Sequence, residues 1–243
     1  MQEGYVDIYG IPTRVMTWGR WIEETPYTSE PEDIILCIPG NPGVTKFYVE
    51  FLRKIHEELG YTVWILSHAG HELPPPDSIR TAPPLTDNEK LYGLVGQVNH
   101  KIAFIDSYVP QSARIHFIGH SIGAYITLQL LKTSSLREKF LNTHMDTIKN
   151  FIRPDALDKI FYMALDEMVL VKERDSVVLF ENRDKIRLYY GACDGWVPQK
   201  YYRQLKTDIP DIQAELCSHN FEHAFLLRHP EEVGQLVVNW IRK

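Results

Sequence analysis

The sequence is poor in cysteine. Cys37, Cys193 and Cys217 lie far apart, and no C-x-x-C pair occurs. A disulfide framework and a thiolate zinc site are therefore not expected, and a reducing compartment fits better. Positive charge is also short, with 26 Lys and Arg against 32 Asp and Glu. This excludes the basic face that a nucleic-acid binder needs to displace counterions, and a polybasic grip on anionic lipid. No apolar run approaches the roughly 18 residues of a spanning helix. The N-terminus has no basic region followed by an apolar core, so no secretory signal is expected. What remains is a globular composition, 44% hydrophobic and 24% charged over 243 residues, enough to bury a core without disulfide or metal staples.

The hydrophobic pattern alternates between short and long periods. Tyr5–Ile8 and Thr13–Trp18 read as a hairpin turning at Gly10-Ile11-Pro12. Ile34–Ile38 is apolar without alternation, as expected of a strand covered on both faces. Phe47, Phe51, Ile55 and Leu59 are helically spaced and end at Gly60. Tyr61–Leu66 is a strand, and a proline-rich loop follows from Leu73 to Pro84. One long helix, N-capped by Asp87, is expected through Leu91, Val95, Val98, Ile102 and Ile105. Arg114–Ile118 is a strand and Ile122–Lys132 a helix. The alternation returns with strand Ile186–Tyr190, helix Pro198–Leu205, strand Ala214–Cys217 and helix Glu231–Arg242. Such a succession predicts an α/β fold, a mostly parallel sheet with helices on both faces. Between them, Leu136–Asp175 reads as helices, Met145–Ile152 and Pro154–Val171. Val177–Phe180 reads as helix or loop.

The strongest chemical signal is Gly119-His120-Ser121-Ile122-Gly123, between an apolar strand and a helix. A G-x-S-x-G in that setting is a nucleophile elbow, with Ser121 as candidate nucleophile. Its base and orienting acid should follow in the order acid, then histidine. Asp194 fits the acid, because it follows a parallel strand at the edge where ligands bind. Asp184, Asp208 and Asp211 are worse placed. His223 fits the base. His219 lies too near its strand end to reach back, His229 too near the final helix, and His120 is too local to Ser121. The oxyanion needs two backbone N–H groups. Ile122 supplies one. The loop Pro39-Gly40-Asn41-Pro42-Gly43 supplies the other through Asn41, since Pro42 has no N–H. No cofactor or phosphate-loop motif occurs. His68 and His71 in Ser67-His68-Ala69-Gly70-His71 lack further ligands at helical spacing, so they are expected to line a pocket or hold a loop, not to bind metal.

Ile38-Pro39-Gly40-Asn41-Pro42-Gly43, Ser67-His68-Ala69-Gly70-His71, the segment Gly119 to Tyr125, Asp194-Gly195-Trp196-Val197-Pro198 and His223-Ala224-Phe225 together resemble the lipid droplet-associated hydrolase family, a branch of the α/β-hydrolases. The match covers Asp33–Lys132 and Ile186–Lys243. The resemblance implies a single α/β-hydrolase domain over residues 1–243, with 136–175 as a helical, cap-like insertion. It implies a serine lipid hydrolase acting on esters, sterol esters among them, that needs no cofactor. It places such a protein on the lipid droplet and endoplasmic reticulum facing the cytosol, in lipid and cholesterol homeostasis. Ser121, Asp194 and His223 match the family's catalytic positions. The chain departs from the family after the helix that follows Ser121, where the expected strand and long apolar insertion are missing. Droplet anchoring is expected to be weakened accordingly. Two other readings keep the same residues: a catalytically weak or inactive droplet-surface protein that binds lipid or a partner, and a thioesterase or other acyl hydrolase. Within 136–175, stripes at Phe140, Met145, Ile148, Phe151 and Ile152, and at Leu157, Ile160, Phe161, Ala164, Leu165 and Met168, predict two helices beside the crevice. At least one of their apolar side chains is expected in its wall.

Overall fold

The computed structural model describes residues 1–26, 30–132, 154–192, 194–219 and 221–243. The hairpin is β1 (Gln2–Ile8) and β2 (Ile11–Trp18), followed by β3 (Asp33–Ile38), a 3-10 turn over Thr45–Tyr48, α1 (Val49–Leu59) and β4 (Thr62–Leu66). Then come α2 (Glu89–Tyr92), α3 (Leu94–Tyr108), β5 (Arg114–Gly119), α4 (Ile122–Leu131), α5 (Pro154–Leu170) and α6 (Ser176–Glu181). The chain finishes with β6 (Arg187–Tyr190), α7 (Gln199–Asp208), β7 (Gln213–Leu216) and α8 (Pro230–Ile241).

The strands form a five-stranded sheet in the order β1-β2-β4-β3-β5 and a two-stranded sheet, β6-β7. β1–β2 and β2–β4 are antiparallel; β3–β4, β3–β5 and β6–β7 are parallel. β3 shows why its sequence carries no alternation. Ile34, Leu36 and Ile38 enter one core, with Phe104 and Ile105 of α3 and Ile126 and Leu130 of α4. Ile35 and Cys37 enter the other, with Phe51, Leu52 and Ile55 of α1 and Val237 and Val238 of α8. Both faces are covered, so water selects no polar side. Among the described residues no strand pairs with the outer edge of β5. The β6–β7 pair joins the body through the core instead: Leu188, with Leu205 of α7, shares a cluster with Phe117 and Ile126.

Two sequence expectations need correction. The long helix is broken at Gly93 into α2 and α3, and Asp87 does not cap it. The Asp166 carboxylate of α5 accepts the Leu94 amide at 2.6 Å, so a residue distant in sequence satisfies an orphan donor at the start of α3. The apolar stripe of α5 is also not uniformly buried. Ile160 is buried, but Phe161, Leu165 and Met168 are 58–69% exposed, and the inward face is Ala156, Lys159, Ile160 and Met163. Val177–Phe180 lies in a helix, α6. The expected helix Met145–Ile152 and its stripe, including Phe140, lie outside the described residues.

Candidate active site

β5 delivers Ser121 to the C-terminal edge of the sheet. The serine takes φ 54° and ψ −123°, outside the ordinary regions for an L-residue, and α4 starts at the next residue. Such a backbone costs on the order of 1–3 kcal/mol and persists only where its surroundings hold it. The flanking glycines show what holds it. A Cβ on Gly119 would lie 2.6 Å from Ala124 Cα, and one on Gly123 only 2.2 Å from the Ile38 carbonyl oxygen. α4 therefore packs end-on against the end of β3 with no room for a methyl group. Gly123→Ala should destabilise the fold by about 3 kcal/mol, measured as a shift in the denaturant midpoint; an unchanged midpoint would refute this packing.

Asp194 and His223 come from the loops after β6 and β7 and meet at the same edge. Asp194 Oδ2 lies 2.5 Å from His223 Nδ1, and Oδ1 accepts the amides of Trp196 at 2.7 Å and Val197 at 3.0 Å. Their side chains are 4% and 13% exposed. Burial pushes the Asp194 carboxyl up, but the His223 hydrogen bond and charge, with the two amides, outweigh it and hold the group below its ordinary range. A depressed folded pKa stabilises the protein above the unfolded value, about 3.9, and that stability is lost as pH falls through the folded value. The stability gap between wild type and Asp194→Asn should be present at pH 7 and shrink below about pH 4. Urea titrations at both pH values read it, and a gap independent of pH would contradict the assignment.

Ser121, Asp194 and His223 line one cavity of about 310 Å³, with Ile122, Tyr125 and Leu188 among its walls. Met168 and Val171 bring the end of α5 and the residue beyond it into the same wall. The described part of the 136–175 segment thus contributes one helix beside the crevice, and Met168 is an apolar side chain within it. Trp196 stacks on the His223 ring at 6.3 Å. The rival histidines are elsewhere: His219 is exposed and stacked on Phe221, and His229 packs on Phe221 beside Glu232. His120 is buried, with Nδ1 hydrogen-bonded to the Tyr48 hydroxyl and its ring 6.4 Å from that of His223. Burial and the His223 charge both push its pKa well down, so it stays neutral.

The loop 39–43 is held from three sides. The Gly40 amide donates to the Tyr48 hydroxyl at 2.7 Å. The Gly43 amide donates to His71 Nδ1 at 3.0 Å, while the His68 amide donates to the Gly43 carbonyl at 3.3 Å. A Cβ on Gly43 would lie 2.5 Å from the His68 ring. The two unusual sequence segments are thus each other's packing partners. Both rings are buried and uncharged, His71 having its pKa lowered to about 3 chiefly by burial. Among the described residues no group of three metal-ligating side chains occurs. From the third side, Asn41 Nδ2 donates to the Ile160 carbonyl of α5 at 3.1 Å. The amides of Asn41 and Ile122 donate to no described acceptor.

Tyr48 is a site residue that sequence reasoning missed, because it reads only as one position within an amphipathic helix expected from Phe47, whereas it closes the 3-10 turn before α1. Tyr48→Phe removes the partner of both Gly40 and His120 in a dry setting. The variant should lose on the order of 2 kcal/mol or more of stability, read by thermal or urea unfolding; no loss would show that the two polar groups find other partners. Glu167 of α5, which lines the same cavity, was missed too, since it sits beside an apolar stripe and its direction depends on how α5 is rotated.

A strained serine between a parallel strand and a helix, with an acid and a histidine delivered from later strand ends, is the arrangement of the α/β-hydrolase fold. Solved structures agree on the fold. A serine hydrolase involved in carbazole degradation superposes with a TM-score of 0.70 at 14% identity, over 99% of this chain and 98% of that one. A bromoperoxidase from Bacillus anthracis gives 0.68 at 12% identity, over the whole of both chains. The protein belongs to the lipid droplet-associated hydrolase family. The family profile matches residues 31–145 and 135–226. The lipid droplet-associated hydrolase of Drosophila melanogaster is 36% identical, over 100% of this chain and 99% of that protein, and the mouse protein of the same name is 30% identical, over 96% and 92%. The fly alignment runs over 306 positions, more than the 243 of this chain. The profile matches in two pieces that overlap at 135–145.

Proposed function

We propose that this protein is a serine hydrolase of lipid carboxylic esters, sterol esters or related ones, that works through an acyl-enzyme. The observation that carries the reading is the Asp194–His223 pair at 2.5 Å opening on the same cavity as Ser121 at a strained elbow. In this reading Ser121 Oγ attacks the acyl carbon while His223 Nε2 takes its proton. The amides of Asn41 and Ile122 hold the oxyanion. His223 returns the proton to the leaving alcohol, and water then releases the acid by the same route in reverse. Asp194 keeps the proton of the neutral imidazole on Nδ1. The name of the relatives, lipid droplet-associated hydrolase, supports an action at the surface of lipid droplets; work at the cytosolic face of the endoplasmic reticulum and a part in lipid and cholesterol balance belong to the same proposal. No helix among the described residues is long and apolar enough to cross a membrane. Contact with lipid would therefore be peripheral for those residues, and weaker than in relatives that carry the long apolar insertion.

The test is labelling with a fluorophosphonate probe, followed by an assay over sterol, glyceryl, aryl and thio-esters. Labelling at Ser121 with ester turnover is the expected result. Turnover of thioesters alone would move the protein to the thioesterases. Absence of labelling would favour the second reading, a non-catalytic droplet-surface protein. The exposed side chains of Phe161, Leu165 and Met168 on α5 speak for that one.

A further inference from the structure

α5 carries one ionisable group into the cavity that holds Ser121 and His223. Glu167 lines its wall beside Met168, and the adjoining wall is made by Ile122, Val171, Leu188 and Val197. The cavity thus contains two carboxyl groups in opposite situations. Asp194 is fully engaged, by His223 and by two backbone amides. Glu167 is half-buried; its backbone carbonyl accepts the Val171 amide, but its side-chain carboxyl forms no hydrogen bond or ion pair with any described residue. Burial pushes its carboxyl up, and the charge of His223 opposes this only in part. A polar group in an apolar pocket without a protein partner is costly unless something else supplies the hydrogen bond. Tyr125, Tyr189 and Tyr190 also line the cavity, and the arrangement is that of a site with mostly apolar walls and a few polar groups to fix orientation, of which Glu167 is the carboxyl without a protein partner among the described residues.

We propose that Glu167 is a specificity-determining residue that hydrogen-bonds a hydroxyl carried by the ester substrate, so that the protein favours hydroxylated lipid esters over esters whose two halves are both hydrocarbon. The inference rests on the ester-hydrolase reading above and narrows its substrate class. A hydroxyl fits better than a cation, because an ammonium would have to shed its water against apolar walls. The hydroxyl belongs either to the alcohol half, as in a partial glyceride, or to the acyl half, as in a hydroxy fatty acid ester. A substrate with neither leaves Glu167 unpaired in the complex, and discrimination of this kind is strong because the enzyme's own group pays for the mismatch. Glu167 is not needed as a second acid for His223, since Nδ1 is already taken by Asp194.

The experiment uses the full chain, wild type beside Glu167→Leu and Glu167→Gln, and two matched pairs of substrates. Monodecanoylglycerol is compared with propyl decanoate, and the p-nitrophenyl ester of ω-hydroxydecanoate with that of decanoate. The quantity read is the ratio of kcat/KM within each pair. In the wild type at least one pair should favour the hydroxylated member about tenfold or more, and which pair does so identifies the half that Glu167 contacts. Glu167→Leu should bring that ratio close to one, and Glu167→Gln, which can still donate and accept, should keep most of it. If Glu167→Leu slows both members of both pairs by one factor, the carboxyl acts only on the charge of His223 and the proposal is overturned. Ratios near one in the wild type overturn it as well. If Ser121 is labelled but esters turn over too slowly to measure, labelling rates of fluorophosphonates with plain and ω-hydroxylated chains read the second ratio. Those with propyl and glyceryl ester groups read the first. If Ser121 is not labelled at all, the hydrolase reading itself falls, an outcome distinct from the loss of discrimination.

Discussion

Asp194→Asn should lower kcat by roughly 10⁴-fold with the fold intact. The size follows from how the loop after β6 would hold the new amide. Oδ1 of Asp194 is fixed by the Trp196 and Val197 amides, which accept no substitute other than an oxygen. The asparagine carbonyl must therefore occupy that position, and its NH₂ group must face His223 Nδ1, where the carboxylate now lies at 2.5 Å. A donor at that place forces the imidazole to accept on Nδ1 and to carry its proton on Nε2. In that tautomer His223 cannot take the proton of Ser121. Ser121→Ala provides the floor, with no fluorophosphonate labelling and only background hydrolysis. The measurements are kcat and KM on an aryl ester, the labelling rate at Ser121, and circular dichroism to show that the variant is folded. A loss below tenfold would mean that another group orients His223.

Asn41→Pro should cost about 10²–10³ in kcat, the usual consequence of removing one oxyanion donor. Proline deletes the main-chain N–H and also the side chain that donates to the Ile160 carbonyl. Asn41→Ala separates the two effects, because it loses the tether to α5 and keeps the amide. Its loss should stay within about tenfold, and the factor between the alanine and proline variants isolates the donor. Thermal melts of both variants establish that the loop is still anchored by Tyr48 and His71. Equal kcat in the two variants, with melts unchanged, would remove Asn41 from the oxyanion site.

The local elements were readable because each rests on contacts within a few residues. Gly119 and Gly123 mark the elbow, since no side chain fits where α4 meets the end of β3. The run Ile34–Ile38 marks a doubly covered strand, and the order serine, acid, histidine follows from strand ends alternating with helices. Asp194 and His223 could be placed at one edge of the sheet from that order. Their distance could not be read, because it depends on how the β6–β7 pair docks against a sheet to which it is not hydrogen-bonded.

The remainder was decided by partners distant in the chain. The periodicity from Leu91 to Ile105 runs through Gly93 without interruption, yet the Asp166 carboxylate caps Leu94 and splits the helix there. The spacing of Leu157, Ile160, Phe161, Ala164, Leu165 and Met168 defines an apolar stripe but not its rotation about the helix axis. That rotation is set by Lys159 and Met163 turning inward and by the Asn41 bond to Ile160. It leaves Phe161 and Leu165 in solvent and turns Glu167 into the cavity. Hydrophobic spacing records which residues can share a face. Which face is dry, and which polar group ends beside Ser121, is settled only when the helices pack, because desolvation is a property of the assembled interior and not of the segment that enters it.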